Sequence, residues 1–315
     1  MPKLPAAVAA IVAVALLAVT GCSGPQTYIM VIGRSTQGKY WEAAVNGATE
    51  QAAAEGVAMD FFAPARADDV DGQLQLVQQA LDTHPSAIAY SPINPTAGIE
   101  LLKQIREAGI PLIVFETKTE GFIGDAVVVT NNQNAAWEAA RHICDLTGGK
   151  GSVLIAANGF NHQTNIDRHI GFQRGINENC PDMEWLDPIN TEGDVETAIA
   201  LTKEALKAHE DLAGILIVDQ VSAEGIIETV TGMKNAPVLV GFDSGKVQTT
   251  AIREGVMAGA IAQDPAAMGE KLISTAVKFV QGKGDEIASQ VDVSYVWYDK
   301  STIDKPNIQA LITES

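Results

Sequence analysis

The residues best suited to do chemistry in this chain lie in short polar segments that each follow an apolar run. The first segment also carries two adjacent rings, Tyr40 and Trp41, although only 5% of the residues are aromatic. Neighbouring residues on a helix lie about 100° apart, so a helix core needs only one of the two rings. Polar groups beside apolar rings, here with Phe160 as a third ring, are typical of a pocket for a polyhydroxylated ligand. The segments are "RSTQGKYW", "SPINP", "ETKTEG", "NNQN", "NGFNHQTNIDR", "DQVSAEG", "FDSG" and "QDPAAMG".

Two other interpretations of these polar residues remain open at this point. Any one of them is also consistent with a simple helix cap, because Asn, Asp and Ser are common there. Glu116 and Asp243 are also compatible with the two carboxyl groups of a glycosidase, although the sequence does not give their separation. An assay for sugar release distinguishes such an enzyme from a binding protein. The five histidines are scattered and no Cys or His spacing indicates a metal, so we expect neither a metal nor a cofactor.

The elements that position these segments alternate between strands and helices. Most of the apolar runs are rich in Val and Ile without alternation, which is typical of buried parallel strands. An α/β fold with parallel sheets follows, and such sheets bring ligand-contacting residues to the loops beyond the carboxyl ends of their strands. The predicted strands are Tyr28–Ile32, Val57–Phe61, Ala87–Tyr90, Leu112–Phe115, Val127–Val129, Val153–Ala156, Gly214–Val218, Val238–Gly241 and Ala258–Ala262.

The first residues predict export. Lys3 precedes an apolar run from Ala6 to Val19, which is shorter than the roughly 20 residues that a bilayer-spanning helix needs. The stretch Val19-Thr20-Gly21-Cys22 resembles a bacterial lipobox, which implies a signal peptide over residues 1–21 and a lipidated Cys22 at the head of a linker, 22–26. An uncleaved membrane anchor is the alternative. We therefore expect an exported protein anchored to the membrane by its lipid, in the periplasm or on the outer face of the cell membrane.

The length of the chain predicts the number of its lobes, and its net charge excludes one class of partner. A mature chain of about 290 residues exceeds the usual size of one hydrophobic core, so two lobes are expected. The formal net charge of −18 repels the phosphates of a nucleic acid, which excludes that class of partner.

From about Thr27 to its C-terminus the chain resembles the type I periplasmic sugar-binding proteins of ABC transporters, the family of ribose-binding protein. The resemblance is carried by "YWEAAVNGATEQAAAEGV" at 40–57, "DRHIGF" at 167–172, "GFDSG" at 241–245 and "GAIAQDPAAMG" at 259–269, in this order and spacing. It implies two Rossmann-like lobes with parallel sheets, joined by crossover hinge segments. Residues 27–131 with 264–292 would form one lobe, and 132–263 with 293–315 the other.

The resemblance also implies the ligand-binding residues. The paired aromatic residues of the family correspond to Tyr40 and Trp41, whose rings would stack on the C–H faces of a sugar. Hydrogen bonds to charged groups are stronger than those to neutral groups, which suits the acids and the arginine of such a pocket. The polar positions correspond to Ser91, Glu116, Asn132, Arg168, Asp219, Asp243 and Gln263.

Three positions depart from the pattern of ribose binders. Gly38 stands where they have a ligand-contacting Asn, Thr117 where they have an Arg, and Gly193 where an aromatic residue often covers the sugar. These departures argue against ribose and favour a larger or differently substituted ligand. The side chain that would compensate is Lys39, Lys118 or Phe160.

Cys144 and Cys180 remain once Cys22 carries lipid. Both lie near the C-terminal ends of consecutive predicted helices that flank one strand, and right-handed crossovers bring such helices side by side. An oxidising compartment permits a disulfide there. The alignment of the helix ends leaves two unpaired thiols as the alternative.

The function implied by the resemblance is binding without catalysis. Two lobes would close by a hinge on one monosaccharide or related polyol and then dock on a membrane permease of an ABC transporter. Receptors for quorum signals or amino acids share this architecture and remain alternatives, and the glycoside-cleaving enzyme is a more distant one.

Overall fold

The computed structural model describes residues 27–160 and 163–312. The predicted signal peptide, Cys22 and the linker lie outside the described residues. Within the described ranges, no helix combines the length and the apolar character needed to cross a membrane.

The first sheet has six strands, all parallel, in the order β12-β5-β4-β3-β1-β2. The residues of β3, β4 and β5 are buried along their whole length, which explains why Val and Ile run on there without alternation. The strands are β1 (Tyr28–Ile32), β2 (Ala58–Phe62), β3 (Ala87–Tyr90), β4 (Leu112–Phe115), β5 (Ala126–Thr130) and β12 (Gln290–Val293).

The second sheet has seven strands in the order β13-β11-β10-β9-β6-β7, with β8 also pairing with β6. Its edge strand β13 runs antiparallel to β11, so this sheet is parallel except at one edge. The strands are β6 (Ser152–Ala157), β7 (Glu184–Trp185), β8 (Ile189–Asn190), β9 (Leu212–Ile217), β10 (Val238–Phe242), β11 (Gly259–Gln263) and β13 (Tyr295–Asp299).

Helices cover both sheets. Helix α9 packs against α1 and against strands of the first sheet, whereas α4 packs against α5 and against strands of the second. The helices are α1 (Lys39–Glu55), α2 (Val70–Thr83), α3 (Ile99–Glu107), α4 (Asn132–Thr147), α5 (Gln163–Asn179), α6 (Val195–Ala208), α7 (Gln220–Val230), α8 (Lys246–Glu254), α9 (Pro265–Val280) and α10 (Pro306–Gln309). Each sheet with its helices is called a lobe below, the first lobe holding the six-stranded sheet.

The chain passes between the lobes after β5, after β11 and between β12 and β13. Val293 pairs with Thr130 in the first sheet. The residue limits of the lobes that the sequence suggests stay a prediction, whereas the α/β class with two mostly parallel sheets is confirmed.

Glycines set how closely paired helices approach. A Cβ atom on Gly171 of α5 would overlap the backbone of Gln133 on α4, and one on Gly269 of α9 would overlap the backbone of Ala44 on α1. Only glycine therefore permits these helix contacts. The contact of α5 with α4 matters for the site because Arg168 lies one turn before Gly171 on the same helix.

The α4–α5 pair is also cross-linked. Cys144 lies in the last turn of α4, Cys180 follows the last residue of α5, and the two form a disulfide with their Cα atoms 5.8 Å apart. The structure thus joins the two cysteines whose pairing the sequence left open.

Candidate functional site

The carboxyl ends of the strands of both sheets border one cleft between the lobes. A cavity of about 310 Å³ opens there, which lies at the lower end of the usual range for small-molecule sites. Both lobes contribute to its walls, as expected for loops beyond parallel strands. The lining residues are Arg34, Gln37, Gly38, Lys39, Tyr40, Trp41, Glu116, Gln220, Asp243 and Gln263.

Glu116 is the acid that the first lobe contributes. It follows the last residue of β4, and its backbone has a φ of 66°, a left-handed conformation that is uncommon for a residue with a side chain. Its Oε2 atom accepts hydrogen bonds from Arg34 Nη1 at 3.2 Å and from Ser91 Oγ at 3.3 Å. These two neighbours hold the carboxylate at the wall of the cavity.

Asp243 is the acid that the second lobe contributes, at the corresponding place. It follows the last residue of β10 with a φ of 67°. Its Oδ1 atom accepts a hydrogen bond from Gln263 Nε2 at 2.6 Å, and Gln263 Oε1 accepts one from Thr130 Oγ1 at 2.8 Å. Because Thr130 ends β5 of the first sheet, this chain of hydrogen bonds connects the acid to a segment where the chain passes between lobes.

The two acids have matching backbone anchors. The N–H group of Glu116 donates to Val128 O at 2.9 Å, and that of Asp243 donates to Ile261 O at 2.8 Å, in each case on the next strand of the sheet. Both acids therefore leave their strands in the same way and from equivalent positions in the two sheet orders.

Arg168 lies behind the acids, with only 4% of the residue exposed. Its Nε atom donates to Asn132 Oδ1 at 2.9 Å, its Nη1 atom donates to Val218 O at 2.9 Å, and its guanidinium lies 4.1 Å from the ring centre of Phe242. Burial lowers the pKa of Arg168, and the negative charges of Asp243 and Glu116 oppose that change. The charges of both lobes thus act on one buried guanidinium.

Tyr40 and Trp41 both line the cavity. Trp41 also packs against Phe61 and Phe115, with ring centres 6.3 and 6.2 Å away, and Tyr40 meets Trp41 edge to face at 5.6 Å. Burial raises the pKa of Tyr40 well above its ordinary value, and the carboxylates of Glu116 and Asp243 add to the rise. Tyr40 therefore keeps its hydroxyl proton, which it donates to Met268 Sδ at 3.5 Å in this structure.

The residues inferred from the resemblance fall into two groups. Tyr40, Trp41, Glu116, Asp243 and Gln263 form part of the cavity wall. The other four are not among the residues that line this cavity. Ser91 bonds to Glu116, Asn132 bonds to Arg168, and Asp219 caps α7. Both carboxylate oxygens of Asp219 accept from Ser222, from its N–H group at 2.9 Å and from its Oγ atom at 2.6 Å.

The cavity is also lined by Arg34, Gln37 and Gln220, which the sequence pattern did not indicate as ligand-binding residues. All three lie within polar segments that follow strands. The sequence therefore showed that they lie near the strand ends, but it did not show whether their side chains face the cavity. In the described ranges, no group of His, Cys, Asp and Glu is arranged to hold a metal ion.

The three side chains expected to compensate for the departures from the ribose-binder pattern have different contacts. Lys39 lines the cavity beside Gly38. The ring of Phe160 meets that of His169 edge to face at 5.4 Å, and Lys118 forms an ion pair with Asp167.

Comparison with known proteins assigns the class that this fold and cleft define. The model of the periplasmic binding protein domain matches residues 29–284, so the chain belongs to that family, and the family resemblance drawn from the sequence is confirmed.

Individual relatives are distant. The D-apiose import binding protein of Paraburkholderia graminis is 23% identical over 272 residues, covering 84% of this chain and 85% of the relative. The ribose import binding protein of Bacillus subtilis is 20% identical over 209 residues, covering 66% of each. An ABC transporter solute-binding protein from Agrobacterium vitis, bound to α-D-tagatopyranose, superposes with a TM-score of 0.78 at 22% identity, covering 92% of this chain and 100% of that one.

Proposed function

We propose that this protein is an extracytoplasmic substrate-binding lipoprotein that captures a monosaccharide or a related polyol between its lobes and delivers it to the permease of an ABC transporter. The observation that carries the proposal is the pair of acids, Glu116 and Asp243, which the two sheets present from equivalent strand ends to one cavity. The sugar-binding relatives and the sugar-bound structural neighbour support the same class of ligand.

A polyhydroxylated ligand matches the mixture of groups around the cavity. Each hydroxyl both donates and accepts, so it bonds to a carboxylate such as Asp243 with its hydrogen and to a guanidinium such as Arg34 with its oxygen. Hydrogen bonds to charged groups contribute about 1.5–3 kcal/mol each, more than neutral ones. The aromatic faces of Tyr40 and Trp41 cover the C–H surface of the sugar ring.

Binding is coupled to closure because the ligand touches both lobes. Contacts to Glu116 and Asp243 at once exist only when the cleft is closed, so the ligand shifts the population toward the closed form. The permease would recognise that form, and lipid on Cys22 would keep the protein at the membrane. No cofactor and no catalytic step enters this mechanism.

The central experiment is a calorimetric titration of the mature protein against pentoses, hexoses, inositols and other polyols, with amino acids as the comparison set. We expect saturable binding of at least one sugar or polyol with a stoichiometry of one. Binding of amino acids alone would assign the protein to the receptors for non-sugar ligands. Release of free sugar from aryl glycosides would indicate the enzyme instead.

The lipid anchor is tested separately. Cells that express the full chain are labelled with a radioactive fatty acid, and the Cys22→Ser variant serves as the comparison. We expect label and membrane association in the wild type and the loss of both in the variant. A labelled Cys22→Ser protein would contradict the assignment.

A further inference from the structure

An ion pair joins the two lobes beside the ligand cleft. Lys118 Nζ lies 3.2 Å from Asp167 Oδ2, and the two side chains are only 13% and 10% exposed. Lys118 belongs to the loop between β4 and β5 of the first lobe, whereas Asp167 lies on α5 of the second. The contact therefore exists only when the lobes are close together.

Each partner is held in place from within its own lobe. The second oxygen of Asp167, Oδ1, accepts hydrogen bonds from Gln133 Nε2 and Gln163 Nε2, both at 3.1 Å. Lys118 Nζ lies 5.6 Å from the centre of the Phe122 ring, a favourable cation–π distance. Each side chain is thus restrained by contacts within its own lobe, and such restraint reduces the entropy lost on pairing.

The pair is close in sequence to the charged residues of the site. Lys118 lies two residues after Glu116, and Asp167 directly precedes Arg168. The ion pair consequently joins the strand end that carries the acid of the first lobe to the helix turn that carries the buried arginine of the second. We expect a change at this contact to alter the separation of the two charged groups across the cleft.

The pair also closes one end of the cleft. The space bordered by Glu116, Thr117, Lys118, Asn132 and Asp167 has a volume of only about 10 Å³, compared with about 310 Å³ on the side of the two rings. Lys118 therefore does not extend into the ligand cavity.

We propose that Lys118 and Asp167 are positioning residues, whose ion pair forms on lobe closure and holds Glu116 and Arg168 in place across the cleft. The proposal rests on the proposed function, because it concerns the affinity for the captured ligand. Neither residue needs to contact that ligand. A variant that loses the pair populates the closed form less, and the apparent affinity falls by the same factor.

The test is a double-mutant cycle on the dissociation constant of the sugar or polyol that binds the wild type. Lys118→Met and Asp167→Asn are each expected to raise Kd about tenfold or more. The double variant is expected to raise Kd by no more than the single variant with the smaller effect, because both substitutions remove the same interaction. Lys118→Arg keeps the charge and is expected to stay within about threefold of the wild type. The melting temperature of the ligand-free protein is expected to change little, because without ligand only part of the population is closed and holds the pair.

Lys103→Met is the matched control. Lys103 pairs with Glu100 at 2.7 Å on the exposed surface of α3, within a single lobe, so its loss should leave Kd unchanged. Single variants with the affinity of the wild type, or effects of Lys118→Met and Asp167→Asn that simply add, would overturn the proposal.

Failure of the proposed function looks different, since the wild type itself would then bind no sugar or polyol. In that case the pair is tested without ligand by small-angle X-ray scattering at low ionic strength. The wild type is expected to have a smaller radius of gyration than Lys118→Met. Equal radii would refute the interlobe pair.

Discussion

Replacing Asp243 with Asn removes one negative charge from the cavity and changes little else. Asn has nearly the same shape as Asp, and it adopts the left-handed conformation required by a φ of 67°. Oδ1 of Asp243 is already bonded to Gln263, so Oδ2 is the oxygen left to accept from a ligand hydroxyl. In the variant an amide NH2 group replaces Oδ2, so the charged hydrogen bond is replaced by a neutral one in which the amide donates to the hydroxyl oxygen of the ligand.

The expected loss follows from the difference between the two kinds of hydrogen bond. Bonds to charged groups contribute about 1.5–3 kcal/mol and neutral ones about 0.5–1.5 kcal/mol, so the exchange costs about 1–1.5 kcal/mol. Since 1.4 kcal/mol is tenfold, Kd should rise by a factor of about ten.

Stability should respond much less than affinity. The buried Arg168 loses one nearby negative charge, but Glu116 still opposes the effect of its burial. A loss of about 1 kcal/mol lowers the melting temperature of a domain of this size by only about 2–4 °C.

The assay is isothermal titration with the sugar or polyol that the wild type binds, together with thermal unfolding of the ligand-free protein. The control is Asp194→Asn, because Asp194 caps α6 in the same lobe and lies outside the cavity. The control should match the wild type in affinity. An unchanged Kd for Asp243→Asn with a clearly lower melting temperature would assign Asp243 to structure and refute the reasoning.

Three further predictions follow from contacts in the two lobes. Trp41→Ala should raise Kd in titrations far more than it lowers the melting temperature, and equal affinity would show that the ring is only part of the core. Replacing Cys144 and Cys180 with Ser should lower the free energy of unfolding in urea by about 3–4 kcal/mol, as estimated from their sequence separation of 36, and unchanged stability would refute a formed disulfide. Folding holds the proton of Tyr40 more tightly than the unfolded chain does, so this residue's contribution to stability is present below about pH 10 and is lost as the pH rises further. Urea unfolding at pH 9 to 11 should therefore show a shallower loss of stability in Tyr40→Phe than in the wild type, and identical slopes would contradict the burial of that hydroxyl.

The sequence was sufficient to predict the central strands of both sheets. The buried runs ending at Tyr90 and Phe115 have no polar residue to interrupt them, so composition alone marks them as interior strands. The sequence was not sufficient to predict the strands at the edges of the second sheet. Strands β7 and β8 have only two residues each, too short for any periodicity, and the antiparallel direction of β13 depends on its pairing with β11.

For the site, the sequence located the polar segments, because the end of a parallel strand fixes where the next loop begins. It did not separate the residues that reach the cavity from those that support them. Asp219 and Gln220 are adjacent at the start of α7, yet only Gln220 lines the cavity, while Asp219 caps the helix. Orientation around a helix start depends on backbone angles that neighbouring residue types do not specify.

By itself, then, the sequence determined the α/β class, the family and the strand ends that carry Glu116 and Asp243, since each depends on patterns within short stretches of chain. Only the tertiary structure decided that Lys118 pairs with Asp167, 49 residues further along the chain, and does not extend into the ligand cavity. That contact joins elements of different sheets, and no local pattern encodes it. Its physical origin is the approach of two lobes, which brings together charges that neither lobe could pair alone.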